Sequence, residues 1–173
     1  YKREFGSYVG FLHWAEELDD IETAVFLQHE RWLKEVESTG MSKSYNMVVL
    51  LYMLERGVDL WLEPINSGDA AAFFHRYLTE KEYRKRIDFS DSGARKLWEY
   101  NEKKVASLIA KMPMKMWAGS SSGMVSYVDD VFKIHIEQED EGLKQQELLH
   151  RWTKEICLFR LHYHFERRGE SNE

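Results

Sequence analysis

Apolar residues recur every three or four positions along most of this chain, the period of helices, and alternate every second position in one short stretch, the period of strands. Phe5, Tyr8, Phe11, Leu12, Trp14, Ala15 and Leu18 predict a short helix after Ser7, interrupted by Gly10. Asp19 followed by Glu22 is a capping-box pair, and it predicts a helix running to about Ser38 and stopping at Gly40. Ile21, Val25, Gln28, Trp32 and Val36 form its inward face with Ala24, Leu27 and Leu33 beside it, while Glu30, Lys34 and Glu37 face water. The next segment, from a cap at Ser42 to Gly57, carries Met47, Leu50, Leu51 and Leu54 on one stripe and Val48, Val49, Tyr52 and Met53 on the flanks. A helix apolar nearly all round is a buried one, so this segment centres the core.

An extended connector, residues 58 to 63, leads through Pro64 to a helix capped by Asn66 or Ser67, which buries Ala71, Phe74, Tyr77 and Leu78. Thr79 and Glu82 read as a capping box for the basic turn TEKEYRKR, and DFSDSG (88–93) as a turn-rich break. A short helix with Leu97, Trp98 and Tyr100 follows, started by Asp91 or Ser92. Asn101 caps another, which buries Val105, Leu108, Ile109 and Met112 and ends at Pro113. Ala118 to Gly123 is a polar loop. Val125 and Tyr127, then Phe132, Ile134 and Ile136 about an Asp129-Asp130 turn, predict a β-hairpin that needs helices or a third strand to hold it. A long helix from about Gly142 to Arg168 carries two apolar stripes, one through Leu149, Trp152, Ile156, Phe159 and Tyr163, the other through Leu148, Leu158, Leu161, His162 and Phe165. Gly169 closes it.

These elements make a single mainly α domain with one β-hairpin: an N-terminal helical brace (1–40), a helix-turn-helix plus hairpin module (41–136) and a C-terminal helix (142–168). At 173 residues and 43% hydrophobic, the chain is long enough for one sizeable core and too apolar for disorder. The single cysteine, Cys157, excludes an internal disulfide and any multi-cysteine zinc site and fits a reducing, cytoplasmic setting. No apolar run reaches the ~18 residues of a membrane span, so no membrane partner is expected. The start, Tyr1-Lys2-Arg3-Glu4, has neither an initiator Met nor a signal pattern, and reads as a domain of a longer chain.

Net charge is −6, yet the charge is polarised: Glu16 to Glu37 holds eight acids and two bases, whereas Glu80 to Trp117 holds ten bases and six acids. The helix order followed by a hairpin is that of a winged-helix module, in which helices and hairpin approach a duplex. On that reading Lys43, Tyr45, Arg76, Lys81, Arg84, Lys85 and Arg86 meet nucleic-acid phosphates; the alternative is a solvated basic turn with internal ion pairs. No catalytic set and no metal site stands out. His162 and His164, two apart on a helix, point to different faces; His135 and Glu137 lack a third ligand; Asp129 and Asp130 are explained by a turn; GSSSG lacks the lysine of a phosphate-binding loop; and Cys157 reads as a buried, inert thiol.

The combination SKSYNMVVLLYMLERG (42–57), EPIN with AAAFFHRYL (63–78), KRIDFSD (85–91), KKVASLIAKMPMKMW (103–117) and VSYVDDVFKIHI (125–136) resembles a region of the C-terminal parts of large bacterial superfamily 2 (DEAD/DEAH-type) helicases linked to restriction and phage defence. The resemblance covers about residues 41–165 and rests on helix and turn features, without motor motifs. It implies a non-catalytic accessory domain of an ATP-dependent DNA helicase or restriction-type protein, which contacts DNA or couples the motor domain to a partner subunit. It implies no cofactor in this segment, ATP and magnesium belonging to the motor of the parent chain. The alternative is a protein–protein interaction domain with no DNA contact, using exposed aromatics and the acidic helix at 20–38.

Overall fold

The computed structural model describes residues 18–171. Within them the fold is mainly helical with one antiparallel hairpin, as the apolar periods predict. The helix expected after Ser7 lies outside the described residues. In chain order the elements are α1 (Asp20–Ser38), α2 (Tyr45–Glu55), α3 (Ser67–Thr79), α4 (Glu82–Asp88), a 3-10 turn (Ala94–Leu97), α5 (Glu102–Ile109), a π turn (Ala110–Met114), α6 (Lys115–Ser120), β1 (Val125–Val128), β2 (Val131–Ile134) and α7 (Leu143–Ser171).

α2 is the centre. Its residues from Tyr45 to Leu54 are buried except for the half-buried Tyr52, and its neighbours are α3 and α7. α1 starts on the predicted Asp19–Glu22 capping box, and Asn66 with Asp69 forms a second one at the start of α3. Gly57 ends α2 at φ +95°, where a side chain would be strained. Four rings then tie the layers together. Trp32 of α1 stacks on Trp117 of α6 (centroids 6.2 Å, 18°) and meets Trp61 at 6.3 Å, while Trp117 meets Phe132 of the hairpin at 6.1 Å. The Trp32 indole donates to Thr153 Oγ1 of α7 at 3.0 Å, and that of Trp117 to Glu35 Oε2 of α1 at 3.1 Å.

The hairpin pairs Val125 with Ile134 and Tyr127 with Phe132 about an Asp129-Asp130 turn, both aspartates having positive φ. It gains the extra support a lone hairpin needs from Ile65, which exchanges backbone hydrogen bonds with Phe132 at 2.8 and 3.1 Å. Asp130 accepts from the Tyr127 hydroxyl (2.6 Å) and from Ser67 N (3.1 Å). Burial works against its charged form, but these hydrogen bonds prevail and hold its pKa below the usual aspartate value.

Several local expectations give way. The buried face of α1 is turned by one residue from the predicted one: Phe26, His29 and Glu37 are buried, while Ala24, Leu27 and Gln28 face water. The helix is kinked at His29, and Glu141 hydrogen-bonds the buried ring nitrogen Nε2 of His29. α2 is preceded by Ser44 rather than Ser42, and the Ser44 side chain makes no cap bond. The 58–63 connector is a series of tight turns, with Leu60 N and Trp61 N bonded to Gly57 O, not an extended strand. Thr79 makes no capping box with Glu82, because its hydroxyl donates to His75 O at 2.7 Å. Asp88 and Phe89 are buried rather than part of a loose break. Pro113 does not end the helix: the chain widens into the π turn, which absorbs the missing N–H, and helix continues to Ser120. The loop is correspondingly shorter, with Ser121 buried and hydrogen-bonded to Val125 N and O. In α7, Phe159, Tyr163, Leu158 and His162 are exposed, and Thr153, Cys157 and His164 are buried in their place; the helix passes Gly169 to Ser171. Among the described residues no helix is long and apolar enough to cross a membrane.

Candidate nucleic-acid interface

The seven cationic and aromatic residues singled out from the sequence separate into three groups according to what each already touches. Lys43 and Tyr45 belong to the framework. The Tyr45 ring is 4% exposed, and its hydroxyl donates to Asp88 O at 2.7 Å, so this side chain presents no surface to a phosphate. Burial, with Asp88 and Asp91 nearby, pushes its pKa far up, which keeps it a neutral donor. Lys43 Nζ donates to Asp88 O at 3.2 Å and pairs with Asp91, and this pairing, with the Ala94 N–H bond, holds the Asp91 carboxyl below the usual aspartate range.

Both residues converge on Asp88, the last residue of α4. Its carboxylate is buried and accepts from Ser44 N (2.7 Å) and from His164 Nε2 of α7 (2.9 and 3.1 Å). The negative charge sits at the N-terminus of α2, where free backbone N–H groups and the helix dipole favour it. Asp88 thus supplies what the Ser44 side chain does not. Arg168 Nε donates to His164 Nδ1 at 3.4 Å, which assigns the shared proton of the pair to Nε2. One carboxylate therefore locks α4 to α2 and α7.

Arg84 and Lys85 are half-buried and engaged within the chain. The Arg84 guanidinium lies 3.9 Å from the centre of the Tyr77 ring, donates to Tyr77 O at 3.1 Å and pairs with Glu80 at 2.8 Å. Desolvation, opposed by Arg84, pushes the Tyr77 hydroxyl up to about 12. Lys85 pairs with Glu82 at 3.3 Å and sits 4.5 Å from the Trp98 ring centre. The internal ion pairs weighed for this basic run are therefore real for these two residues. Arg76, Lys81 and Arg86 differ: all three are exposed, and none is ion-paired among the described residues. Arg76 lies 5.4 Å from the Phe73 ring centre, and Phe73 stacks on Tyr77 (6.3 Å, 19°).

α4 and α7 enclose a cleft of about 570 Å³ beside these groups, lined by Tyr77, Tyr83, Arg84, Arg86, Leu161, His162 and Phe165 among others. Tyr83 meets Phe165 edge-on at 5.8 Å. The exposed cations and half-exposed rings of α3 and α4 thus continue onto the last turns of α7. There the chain also presents Arg160, Arg167 and Arg168 with Phe159 and Tyr163, a group that sequence periodicity passed over because it read the two rings as core. The spacing of 160 and 167, two helical turns apart, was the available signal.

Elsewhere the chemistry is quiet. Cys157 is buried, its thiol donating to Met47 O at 3.2 Å, and desolvation raises its pKa well above that of a free thiol. Among the described residues no group of three His, Cys, Asp or Glu side chains is placed to hold a metal ion. No family model, curated protein or solved structure matches this chain.

Proposed function

We propose that this chain is a non-catalytic domain that holds nucleic acid, single strands above all, on the surface formed by α3, α4 and the end of α7. One observation carries the reading: guanidinium groups and aromatic rings share one cleft, with Arg84 seated on the half-buried Tyr77, the exposed Tyr83 and the unpaired Arg86 in the walls, and the buried Phe165 behind Tyr83. A strand is held by cations that track its phosphates and by flat rings on which bases stack, and this cleft offers both. The net charge of −6 does not oppose this, because α1 alone, with five acids and two bases, carries half of it, and the local field is set by nearby groups. The link to an ATP-driven helicase or restriction motor in the bacterial cytoplasm rests on the resemblance of residues 41–165 alone.

The test is a salt titration of binding to single-stranded and duplex oligonucleotides. Three phosphate contacts from Arg76, Lys81 and Arg86 give a slope of about −2 in log K against log salt for a single strand. Alanine at all three positions removes most of that slope and leaves the unfolding midpoint in place, since none of the three is ion-paired. Absence of binding at low salt, or a triple variant that binds like wild type, refutes the proposal.

A second reading, a protein-interaction domain with no DNA contact, is favoured by a separate groove of about 460 Å³ with Met41, Met112, Pro113 and Met116 in its walls, Met116 being 63% exposed. Thioether side chains adapt to varied apolar partners. A chain that ignores oligonucleotides at low salt leaves this reading standing.

A further inference from the structure

The cleft between α4 and α7 has one acid in its lining, Glu166, among the guanidinium and aromatic groups already described. A carboxylate there repels phosphates, so a surface that only tracked the backbone of a strand would have no use for it. Glu166 stands one helical turn beyond His162, whose ring nitrogen Nε2 lies 3.3 Å from Glu166 Oε2. The two side chains are 59% and 81% exposed, and a pair so open to water holds its partners weakly. Glu166 Oε1 has no hydrogen-bond partner among the described residues. Beside this carboxylate the lining is apolar. Leu161 and Phe165 are buried, and Tyr83, 44% exposed, meets the Phe165 ring edge-on and has the Arg84 guanidinium 5.7 Å from its centre.

An acceptor-only group next to a stacking ring discriminates among bases. The two oxygens of a carboxylate take two adjacent donors at once, and such bidentate, charge-assisted pairs are the strong ones. Guanine alone among the common bases presents two neighbouring donors on its Watson–Crick edge, N1–H and the N2 amino group. Adenine and cytosine present one amino group there, and thymine one ring N–H. In a single strand that edge is unpaired and open to be read. Arg86, exposed and without an ion pair among the described residues, stands in the same lining to take a phosphate.

We propose that Glu166 makes this cleft a guanine-reading site. The base lies against the exposed part of the Tyr83 ring, its N1–H and N2 amino group donate to the Glu166 carboxylate, and the adjoining phosphate meets Arg86. The inference rests on the nucleic-acid reading above and sharpens it, from a surface that holds any strand to one that selects guanine at one position.

Fluorescence-anisotropy titration at low salt tests the site with a short thymine oligonucleotide and the same strand carrying one guanine, adenine or inosine at its centre. The guanine strand binds at least about fivefold tighter than the thymine and adenine strands, the lower end of what a bidentate base contact is worth. Inosine, which lacks the N2 amino group, loses most of that gain. Glu166→Gln abolishes the guanine preference, because an amide has one acceptor oxygen where the carboxylate has two. It does not weaken the thymine strand, since it removes a negative charge beside the phosphates, and at so exposed a position it leaves the unfolding midpoint in place. A thymine strand that binds without any gain from guanine overturns this inference and leaves the broader reading standing. No binding of any strand at low salt overturns both. A preference that survives Glu166→Gln, or that adenine or inosine shows equally, overturns it in favour of purine stacking alone.

Discussion

Replacing Asp88 with alanine tests the framework on which the cleft depends. Asp88 is 1% exposed, and its carboxylate satisfies Ser44 N–H and the ring N–H of His164, which is itself 6% exposed. Without it two buried donors lose their acceptor, each at about 1–3 kcal/mol. Two such losses together come to about 2–6 kcal/mol, so about 4 kcal/mol is a fair centre. With a urea dependence of about 2 kcal/mol per molar, the unfolding midpoint falls by about 2 M, read by tryptophan fluorescence. Asp88→Asn keeps the volume and one acceptor and loses about half as much. His164→Ala and the double variant complete a cycle, and contact between the two residues requires a non-additivity of at least about 1 kcal/mol. A midpoint shift below about 0.5 M for Asp88→Ala, or strict additivity with His164→Ala, would refute the view that this pair locks α4 to α2 and α7.

Other consequences are open to measurement. The depressed Asp91 carboxyl contributes stability above the ordinary aspartate pKa of about 4, and that contribution is lost as pH falls through its lower folded value. Asp91→Asn therefore lowers the thermal midpoint at pH 7, and the difference from wild type closes in acid; a gap that persists in acid excludes the Lys43 pairing as its source. Gly57→Ala meets open space but must hold φ +95°, so it destabilises by about 1–2 kcal/mol in urea unfolding, and no loss would mean the turn relaxes freely. Cys157 in the native protein stays unlabelled by a thiol reagent over hours and reacts at once in denaturant; rapid native labelling contradicts its burial.

The helical frame was readable where its signals are local. The Asp19–Glu22 box, the apolar girth of α2 and the alternation about Asp129-Asp130 each lie within a few residues, and each produced the expected element. Asn66 with Asp69 was half read: the cap was foreseen and the reciprocal bond was not. What could not be read is the burial of polar groups. His29 meets Glu141 across 112 residues and Asp88 meets His164 across 76, and no periodicity reports partners so distant. Glu37 was assigned to water because its own helix offered no reason to bury it. Pro113 misled for a related cause, since a π turn removes the hydrogen bond that proline would break. The candidate surface was half legible. A basic run at 81–86 is visible in the letters, but only the fold divides it into engaged residues (Arg84, Lys85) and available ones (Lys81, Arg86). Tyr45 was drawn to the surface by its basic neighbour and is instead core, while the α7 arginines were hidden behind two rings mistaken for core.

The central claim is that one end of the molecule, where α3, α4 and the last turns of α7 meet, carries nucleic acid. Photocross-linking of a single-stranded oligonucleotide with reactive bases, followed by mapping of the modified peptides, tests it directly. The account predicts adducts on Tyr77, Tyr83 and their neighbours at low salt, fading as salt rises. Adducts confined to α1 or the hairpin, or none at low salt, contradict it.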